Sequence, residues 1–559
     1  MKNGISTRGS KILVGAIALM IGVSGTFAGM LIPLAPRDGG DNIQPVPPVS
    51  GGGGNIVPLA ARTWANTGTD FNAGASWGGT APGSGDVGLF SSAPTMQPNL
   101  TASLTIAGLY FGVGSSGYDL TSSSASTILT LNGVNTTGSG GTTTASAAAI
   151  RIDDTTATET IDAPLNLASS TGTSTFFQEA ADGGTLILNG VISQTGTIAL
   201  SLKNGTFQLN NANTYSGGTS LDAAGTTVVV GNDSALGTGS FAFGASSTIQ
   251  AGGAARTLAN NVFFASGTPT IGGSFDITFN GNFTNSGAAS RTITVNNSAN
   301  TTVNDNLYLA GDDVTARTVT INGTGNITVN GVVANNNAGG TVASSLAKSG
   351  SNTLTLTNAN TYTGTTTVNA GVLLVNNSTG SGTGTGAVQV NVGTLGGTGS
   401  VSGAVTIGNG AGVGDSFISP GTSVGTFTTT STLSIGNDGV YKFELNSNTS
   451  TADKIVAAGV SLNSSSSITF TDLGSTVLTL GTTFKIIDNT SGSAISGLFS
   501  NLAEGQDVTF GLNTYEASYV GGDGNDLVLT VVPEPATMAM MALGAGLLVG
   551  VQRFRRKLR

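Results

Sequence analysis

The residues NTLTLTNANTYTGTTTVNAGVLLVNN, numbered 352–377, decide the fold of this chain. Two runs of alternating apolar residues, 354–356 and 368–375, flank a block rich in Asn, Thr and Gly. Alternation with a period of two is typical of half-buried strands, and Asn and Gly favour turns. The stretch therefore predicts short strands joined by tight corners.

A second copy of this pattern lies upstream, at 207–230, with the sequence FQLNNANTYSGGTSLDAAGTTVVV. The shared Asn-Ala-Asn-Thr-Tyr core ends at Tyr215 in this copy and at Tyr362 in the other, 147 residues further on. The block Asn-Gly-Val precedes both copies, at 189–191 and 330–332. Internal repetition indicates stacked units, and we place the repeat units near 183–240 and 323–400.

The composition indicates an all-β protein whose surface is polar but uncharged. Only 9% of the 559 residues are charged, 86 are glycine and 38% are hydrophobic, whereas about a quarter of the residues in an average protein are charged. The net charge of −10 argues against nucleic acid as a partner. The chain contains no Cys and no His, which excludes disulfides, thiolate chemistry and the usual general base.

Many short strands with uncharged corners fit either a series of β-sandwiches or a parallel β-helix. Strands are predicted at 104–106, 128–131, 161–167 and 186–192, with no long helical pattern in the body. We favour a right-handed parallel β-helix, because sequence similarity at a fixed place in successive units arises when each coil stacks on the last. At about 20–25 residues per coil, the body at 101–531 would hold about 20 coils.

The N-terminus predicts a targeting segment. Lys2, Arg8 and Lys11 precede an apolar run at 12–23, and the small residues around Ala28 complete the pattern of a secretory signal peptide at 1–28, cleaved after Ala28. An uncleaved N-terminal anchor is the alternative. Residues 29–61 are rich in Pro and Gly and predict a flexible linker.

The C-terminal segment 532–559 has three parts. Pro533, Glu534 and Pro535 come first, and an apolar run follows from Ala536 through Leu543 and Leu547 to Val551. Five basic residues complete the segment: Arg553, Arg555, Arg556, Lys557 and Arg559. This order predicts a transmembrane helix with the basic tail inside and the body outside.

The two repeats and the C-terminal segment each resemble a known family. Both Asn-Thr-Tyr units are similar to the autotransporter-associated β-strand repeat, whose members are parallel β-helical surface proteins. In the place where an autotransporter carries its translocator, the tail instead resembles the PEP-CTERM sorting signal, in which Pro533, Glu534 and Pro535 would be the motif. That resemblance implies recognition by an exosortase, a membrane enzyme of certain Gram-negative bacteria that also make extracellular polysaccharide.

Trp64 and Trp77 are the only tryptophans in the chain. Their rings could stack on a sugar, or they could close the open end of a β-helix, which must be capped to stay soluble. We favour the cap, because large aromatic rings contribute most as buried area. Residues 62–100 are therefore predicted to form the N-terminal cap.

Carboxylates supply the remaining candidates for chemistry. Residues 521–529 fit one copy of a calcium-binding nonapeptide through Asp523 and Asp526, but such sites share each ion between successive turns. We therefore favour a hairpin there and predict no metal and no cofactor. The adjacent pairs at 153–154 and 312–313 could belong to a polysaccharide lyase or hydrolase, yet neighbours along a strand point to opposite faces, which favours solvated turns.

The terminal coils, 419–531, carry longer strands and more charge. We expect Asp453 and Lys454 to lie at an exposed edge, where charge discourages aggregation.

Taken together, the sequence predicts a non-enzymatic, exported surface or matrix protein with a structural or adhesive role. Its expected partners are an exosortase-type enzyme, the membrane and extracellular polysaccharide. An enzyme on the same scaffold and an autotransporter-like adhesin are the alternatives.

Overall fold

The computed structural model describes residues 61–132, 148–168, 174–179, 184–412 and 414–557. The predicted signal peptide with its Ala28 cleavage site and nearly all of the predicted linker lie outside the described residues, as does Arg559. The described residues fall in the unit Val57–Arg559.

The strands form because apolar residues alternate with Thr, Ser and Asn. In Thr353–Leu356 the side chains of Leu354 and Leu356 are buried, whereas Thr353 and Thr355 face outward and are partly exposed. β-Branched and polar uncharged residues suit this half-buried position on a pleated surface. The same alternation recurs in Thr206–Leu209 and Thr227–Val230, so the buried sides of successive strands merge into one core.

Three faces of parallel strands surround this core. The first part of face 1 contains twelve strands: Ala61–Thr63, Val87–Phe90, Gly108–Phe111, Ala148–Ile152, Ser174–Glu179, Ala199–Lys203, Thr219–Leu221, Phe241–Phe243, Val262–Phe264, Phe283–Thr284, Leu307–Tyr308 and Val333–Ala334. A second sheet takes the same place in the later coils, with Ser400–Val401, Thr426–Thr429, Lys454–Ala457, Thr483–Asn489, Asp526–Val532, Asn513–Gly521 and Asp507–Phe510.

Face 2 is the longest sheet and runs without a break. Its sixteen strands are Asn99–Leu100, Asp119–Ser122, Thr158–Ile161, Thr185–Leu188, Thr206–Leu209, Thr227–Val230, Thr248–Ala251, Thr270–Gly272, Arg291–Val295, Thr318–Gly323, Ser345–Lys348, Thr366–Val368, Val388–Val390, Val405–Ile407, Leu433–Ile435 and Val460–Leu462.

Face 3 consists of two sheets. The first holds Leu104–Ile106, Leu129–Leu131, Leu165–Ala168 and Ile192–Thr195. The second holds Arg256–Leu258, Ile277–Phe279, Thr301–Val303, Ile327–Val329, Thr353–Leu356, Val372–Val375, Gly393–Gly397, Ser416–Pro420, Gly439–Asn446, Thr451–Ala452 and Ser467–Asp472.

The register confirms a parallel β-solenoid. Thr206 pairs with Thr227 and Thr227 with Thr248, so one coil here takes 21 residues. Elsewhere the corners are longer, and Thr318 pairs with Ser345, 27 residues further on. The sixteen strands of face 2 correspond to about 16 coils. The expected number of about 20 was too high because it counted coils as far as residue 531, whereas face 2 ends with Val460–Leu462 and the last strands pair antiparallel.

Two of the predicted strands cross a corner. Residues 161–167 are divided between face 2 and face 3, with Pro164 just before the second strand, Leu165–Ala168. Residues 186–192 are likewise divided, and Gly190 lies at the corner. A β-carbon on Gly190 would lie 2.1 Å from the carbonyl oxygen of Ala163, so this corner requires glycine.

Both repeats lie where one face is interrupted. Face 3 stops after Ile192–Thr195 and resumes at Arg256–Leu258, and the two coils between them have strands on faces 1 and 2 only. Face 1 stops after Val333–Ala334 and resumes at Ser400–Val401, again with two coils between. In each repeat the Asn-Ala-Asn-Thr-Tyr block is the first loop in place of the missing strand.

An asparagine side chain and the backbone of the loop together replace hydrogen bonds of the missing strand, and the loop N–H of Thr214 donates to the carbonyl of Ile192 at 2.9 Å. In the first repeat, Oδ1 of Asn213 accepts the backbone N–H of Ile192 at 2.7 Å, and Nδ2 donates to the carbonyl of Ala235 at 2.6 Å. The Tyr215 hydroxyl, fully buried below this loop, is 2.6 Å from Oγ1 of Thr219. One side chain thus connects the last strand of face 3 to the coil beyond the loop.

The second repeat has the same geometry on a different face. Asn360 accepts the N–H of Val333 at 2.7 Å and donates to the carbonyl of Gly382 at 2.5 Å. Tyr362 is fully buried, and its hydroxyl is 2.5 Å from Oγ1 of Thr366. Each repeat therefore replaces a strand of one face by a loop, while the coils continue to stack.

The C-terminal end departs from parallel pairing. Asp526–Val532 pairs antiparallel with Thr483–Asn489 on one side and with Asn513–Gly521 on the other, and the sheet ends with Asp507–Phe510. The only α-helix of the described chain follows, Pro535–Lys557. An additional short 3-10 helix, Gly74–Trp77, lies near the N-terminal end.

The predicted C-terminal transmembrane helix is not supported. No helix in the described part of the chain is long and apolar enough to cross a membrane. The side chains of this helix are described from position 546 to 557, and four of these twelve residues are basic: Arg553, Arg555, Arg556 and Lys557. A membrane span needs about 20 predominantly apolar residues. The side chains of Ala536 and Leu543 lie outside the described part of this helix.

Replacing Asn360 by Ala tests whether its side chain stabilises the interruption of face 1. The change leaves the N–H of Val333 without its partner inside the protein, which we expect to lower the free energy of unfolding by about 1–3 kcal/mol. The measurement is the urea midpoint followed by circular dichroism. Thr355→Ala, on the outward side of Thr353–Leu356, is the control and should change stability by no more than about 0.5 kcal/mol. Equal midpoints for the two variants would contradict the assigned role.

Candidate functional site

The sorting segment begins where the closing sheet ends. Asp526–Val532 lies between two antiparallel neighbours and stops at Val532. Pro533 has no N–H to donate, so it cannot extend the ladder, and Pro535 occupies the first turn of the helix, where its fixed φ is favourable. Pro533 is partly exposed and Glu534 is exposed. The connection between the closing sheet and the helix is therefore accessible at Pro533 and Glu534.

The described end of the helix is both apolar and basic. Leu547 is 65% exposed and Val551 is 51% exposed. Arg555, Arg556 and Lys557 occupy the last turn, where positive charge is favourable next to the helix dipole. An exposed apolar surface beside a basic end is typical of a segment that meets another protein or a lipid surface.

Trp64 and Trp77 lie inside the first coils. Their side chains are 3% and 5% exposed, and their ring centroids are 5.0 Å apart in an edge-to-face arrangement. Each indole N–H donates to a backbone carbonyl, that of Met96 from Trp64 and that of Phe71 from Trp77. Because neither ring offers an open face, their burial favours the cap over a sugar platform.

Asp526, the second residue of the calcium candidate, is already paired. Oδ2 lies 2.7 Å from Nζ of Lys485, and Oδ1 accepts the N–H of Asn489 at 2.9 Å. Burial alone would raise the pKa of Asp526, but the ion pair with Lys485 and the backbone hydrogen bond outweigh it and lower the pKa. Asp523 lies in the turn between Asn513–Gly521 and Asp526–Val532. The described residues contain no group of three or more metal-binding side chains.

The first acidic pair stabilises a corner. Asp153 accepts hydrogen bonds from Arg151, at 2.7 Å, and from the hydroxyl of Tyr110. Asp154 accepts the N–H groups of Gly114 and Thr156, which lower its pKa. Both carboxylates are therefore engaged in structural contacts.

The second acidic pair is arranged in the same way. Asp312 forms an ion pair with the buried Arg317, with 2.6 Å between Oδ2 and the guanidinium nitrogen, and this contact lowers the pKa of Asp312. Oδ1 of Asp313 accepts hydrogen bonds from Nδ2 of Asn336 and from the backbone of Val342. These contacts favour the structural-turn interpretation over a catalytic one.

Two buried carboxylates were missed or misplaced by the sequence reasoning. Glu159 is fully buried and accepts hydrogen bonds from the backbone of Tyr118 and the hydroxyl of Ser115, yet burial raises its pKa to about 7. Asp453, expected at an exposed edge, is also fully buried and accepts the N–H groups of Gly425 and Glu444. Burial raises the pKa of Asp453 to about 7.

Lys348 is a buried cation that the sequence reasoning also missed. Its Nζ donates to the carbonyls of Ser349, Gly350 and Ala370, at 2.8, 3.0 and 3.2 Å, and the last of these lies in the following coil. Burial lowers the pKa of Lys348 to about 8. The sequence feature that could have predicted this burial is the position of Lys348 two residues after Leu346, because residues two apart lie on the same side of a strand and Leu346 points inward.

Family comparisons agree with both resemblances. The passenger-associated-transport-repeat family matches residues 204–229 and 346–375. The PEP-CTERM protein-sorting motif matches residues 531–557. Comparison with curated proteins gives no match.

The solenoid and its terminal motif define an exported protein of the cell surface or the extracellular space. More specifically, the chain carries a PEP-CTERM sorting motif behind a β-solenoid with two passenger-associated repeats, and this motif implies processing by an exosortase-type system.

The raised pKa values of Glu159 and Asp453 predict a pH dependence of stability. A carboxyl group with a raised pKa binds its proton more tightly in the folded state, so this stabilisation is complete below the ordinary pKa and is lost as pH rises through about 7. We expect the urea midpoint to fall between pH 5 and pH 8. Glu159→Gln with Asp453→Asn should flatten that slope, and an unchanged slope would contradict the assignment.

Proposed function

We propose that this protein is a non-enzymatic structural or adhesive component of the surface or extracellular matrix of a Gram-negative bacterium. One observation carries the proposal: the connection at Pro533 and Glu534, which is accessible, links a closed β-solenoid to a helix with a basic end. A segment of this kind can be processed without disturbing the body, because the described residues that follow it, as far as Lys557, form a helix and not a strand of the solenoid.

The sorting step is assigned to an exosortase-type enzyme that recognises Pro533, Glu534 and Pro535. The precursor would be held at the inner membrane through the apolar run 536–551 and the basic residues behind it, which is supported by the sequence pattern. The predicted signal peptide, cleaved after Ala28, would deliver the body across that membrane.

A polysaccharide lyase or hydrolase on the same scaffold is the alternative of a different class. Such enzymes need carboxylates that converge on one substrate. The acidic pairs at 153–154 and 312–313 lie many coils apart and are engaged in corners, which supports the structural role. An autotransporter-like adhesin would share the body but not the sorting motif.

Replacing Pro533, Glu534 and Pro535 by Ala tests the sorting proposal. We expect precursor to accumulate in the membrane fraction and release or surface display to fall at least about tenfold, because the enzyme loses the motif it recognises. Cell fractionation with immunodetection of the body is the measurement. Glu516→Ala with Val520→Ala, two exposed positions on the neighbouring strand, is the matched control. Unchanged display of the motif variant would refute the sorting role.

A further inference from the structure

Face 1 carries two aromatic side chains that point outward in the same column. Phe263 lies between the buried Val262 and Phe264, and Tyr308 follows the buried Leu307. Their strands pair through Phe283–Thr284, in the register Phe263 to Thr284 to Tyr308. Two coils separate the rings, which corresponds to about 9.5 Å along the solenoid.

The residue between the two rings in the column is nearly buried. Thr284 faces outward but is only 5% exposed, whereas Phe263 and Tyr308 are partly exposed. The next positions of the column are small, Ala242 on one side and Ala334 on the other. The rings therefore stand above a flat surface, in a column without charged side chains.

A hydrogen-bond network fixes the orientation of Tyr308. Oδ1 of Asn306 accepts the N–H of Val332 at 3.0 Å, which aims its Nδ2 at the Tyr308 hydroxyl, 3.2 Å away. Because the hydroxyl oxygen accepts this bond, its own proton is available to a ligand oxygen.

A row of amides borders the rings. Asn282 and Asn261 stand one and two coils before Asn306 in the same corner column. Oδ1 of Asn261 accepts the N–H of Asn282 at 3.0 Å, and Oδ1 of Asn282 accepts the N–H of Asn306 at 3.2 Å. This use of the oxygens leaves the amide nitrogens as the groups that face an outside acceptor. The strip thus combines apolar rings with hydrogen-bond donors along one edge.

We propose that this aromatic strip, Phe263, Thr284 and Tyr308 bordered by Asn261, Asn282 and Asn306, binds an extended neutral polysaccharide. Sugar rings present apolar C–H faces that pack on aromatic rings, and hydroxyl groups at their edges that accept hydrogen bonds from amides and phenols. The ring spacing corresponds to about two sugars of an extended chain. The column has no charge, which matches a neutral ligand rather than an anionic one.

The rigid sheet holds both rings before the ligand arrives, which reduces the entropy lost on binding. The inference rests on the adhesive role proposed above and assigns it a surface. It also moves the carbohydrate contact from the buried Trp64 and Trp77 to the partly exposed Phe263 and Tyr308.

The test uses the purified full-length chain and two kinds of probe. Microcrystalline cellulose in sedimentation and hydroxyethylcellulose in affinity electrophoresis represent neutral glycans, and alginate represents anionic ones. We expect the protein to bind both neutral probes and not alginate. Phe263→Ala with Tyr308→Ala should weaken neutral binding at least about tenfold, because both stacking surfaces are removed. Tyr308→Phe keeps the ring and should weaken binding about two- to fivefold.

Phe417→Ala is the matched control. Phe417 is an outward aromatic on face 3 whose ring is covered by Nζ of Lys442, 3.6 Å from its centroid, so its removal should leave binding unchanged. Circular dichroism and the thermal midpoint establish that every variant is folded.

The inference is overturned if the wild-type chain binds no neutral glycan, if it prefers alginate, or if Phe263→Ala with Tyr308→Ala binds like the wild type. Normal processing and display with no glycan binding would refute the strip while leaving the sorting proposal intact. Glycan binding by a protein that is neither processed nor displayed would refute the sorting proposal alone.

Discussion

The backbone hydrogen bonds between successive coils are the constraint on which the rest of this structure depends. Each strand must find a partner one coil away on the same face, and a missing strand leaves buried N–H and C=O groups without partners. At the two interruptions the side chains of Asn213 and Asn360 accept the N–H groups of Ile192 and Val333, and backbone N–H groups of the same loops donate to the carbonyls of these two residues. The stack therefore continues through coils that have only two strands, with Tyr215 and Tyr362 filling the interior below the loops.

This constraint also determines where function can reside. Most of the polar side chains that could support chemistry are used to hold corners together, as with Asp153, Asp312 and Asp526. Outward columns on the faces remain open, because the core takes only every second residue of each strand. The proposed functions consequently lie on an outward column of face 1 and in the segment behind the closing sheet, rather than in a cleft.

Much of this architecture was predictable from alternation and repetition. The parallel solenoid followed from the two copies of Asn-Ala-Asn-Thr-Tyr, and the sorting motif from Pro533 to Pro535. The interruptions were not predictable, because a loop in place of a strand has the same turn chemistry as an ordinary corner. Glu159 and Lys348 were missed because their burial depends on the inward side of the strand, which requires exact strand boundaries. Asp453 was placed at an exposed edge, but it lies between the strands Thr451–Ala452 and Lys454–Ala457, where alternation gives no indication of burial. Phe263 was overlooked although adjacent phenylalanines in a strand must place one ring outside.

Amide hydrogen exchange on the full-length chain tests the central claim most directly. If Asn213 and Asn360 replace the missing strands, the amides of Ile192 and Val333 will exchange as slowly as amides in the unbroken sheet of face 2, such as those of Val228 and Leu346. Exchange at these two amides at the rate of an open loop would contradict the account, because the stack would then be broken at each repeat.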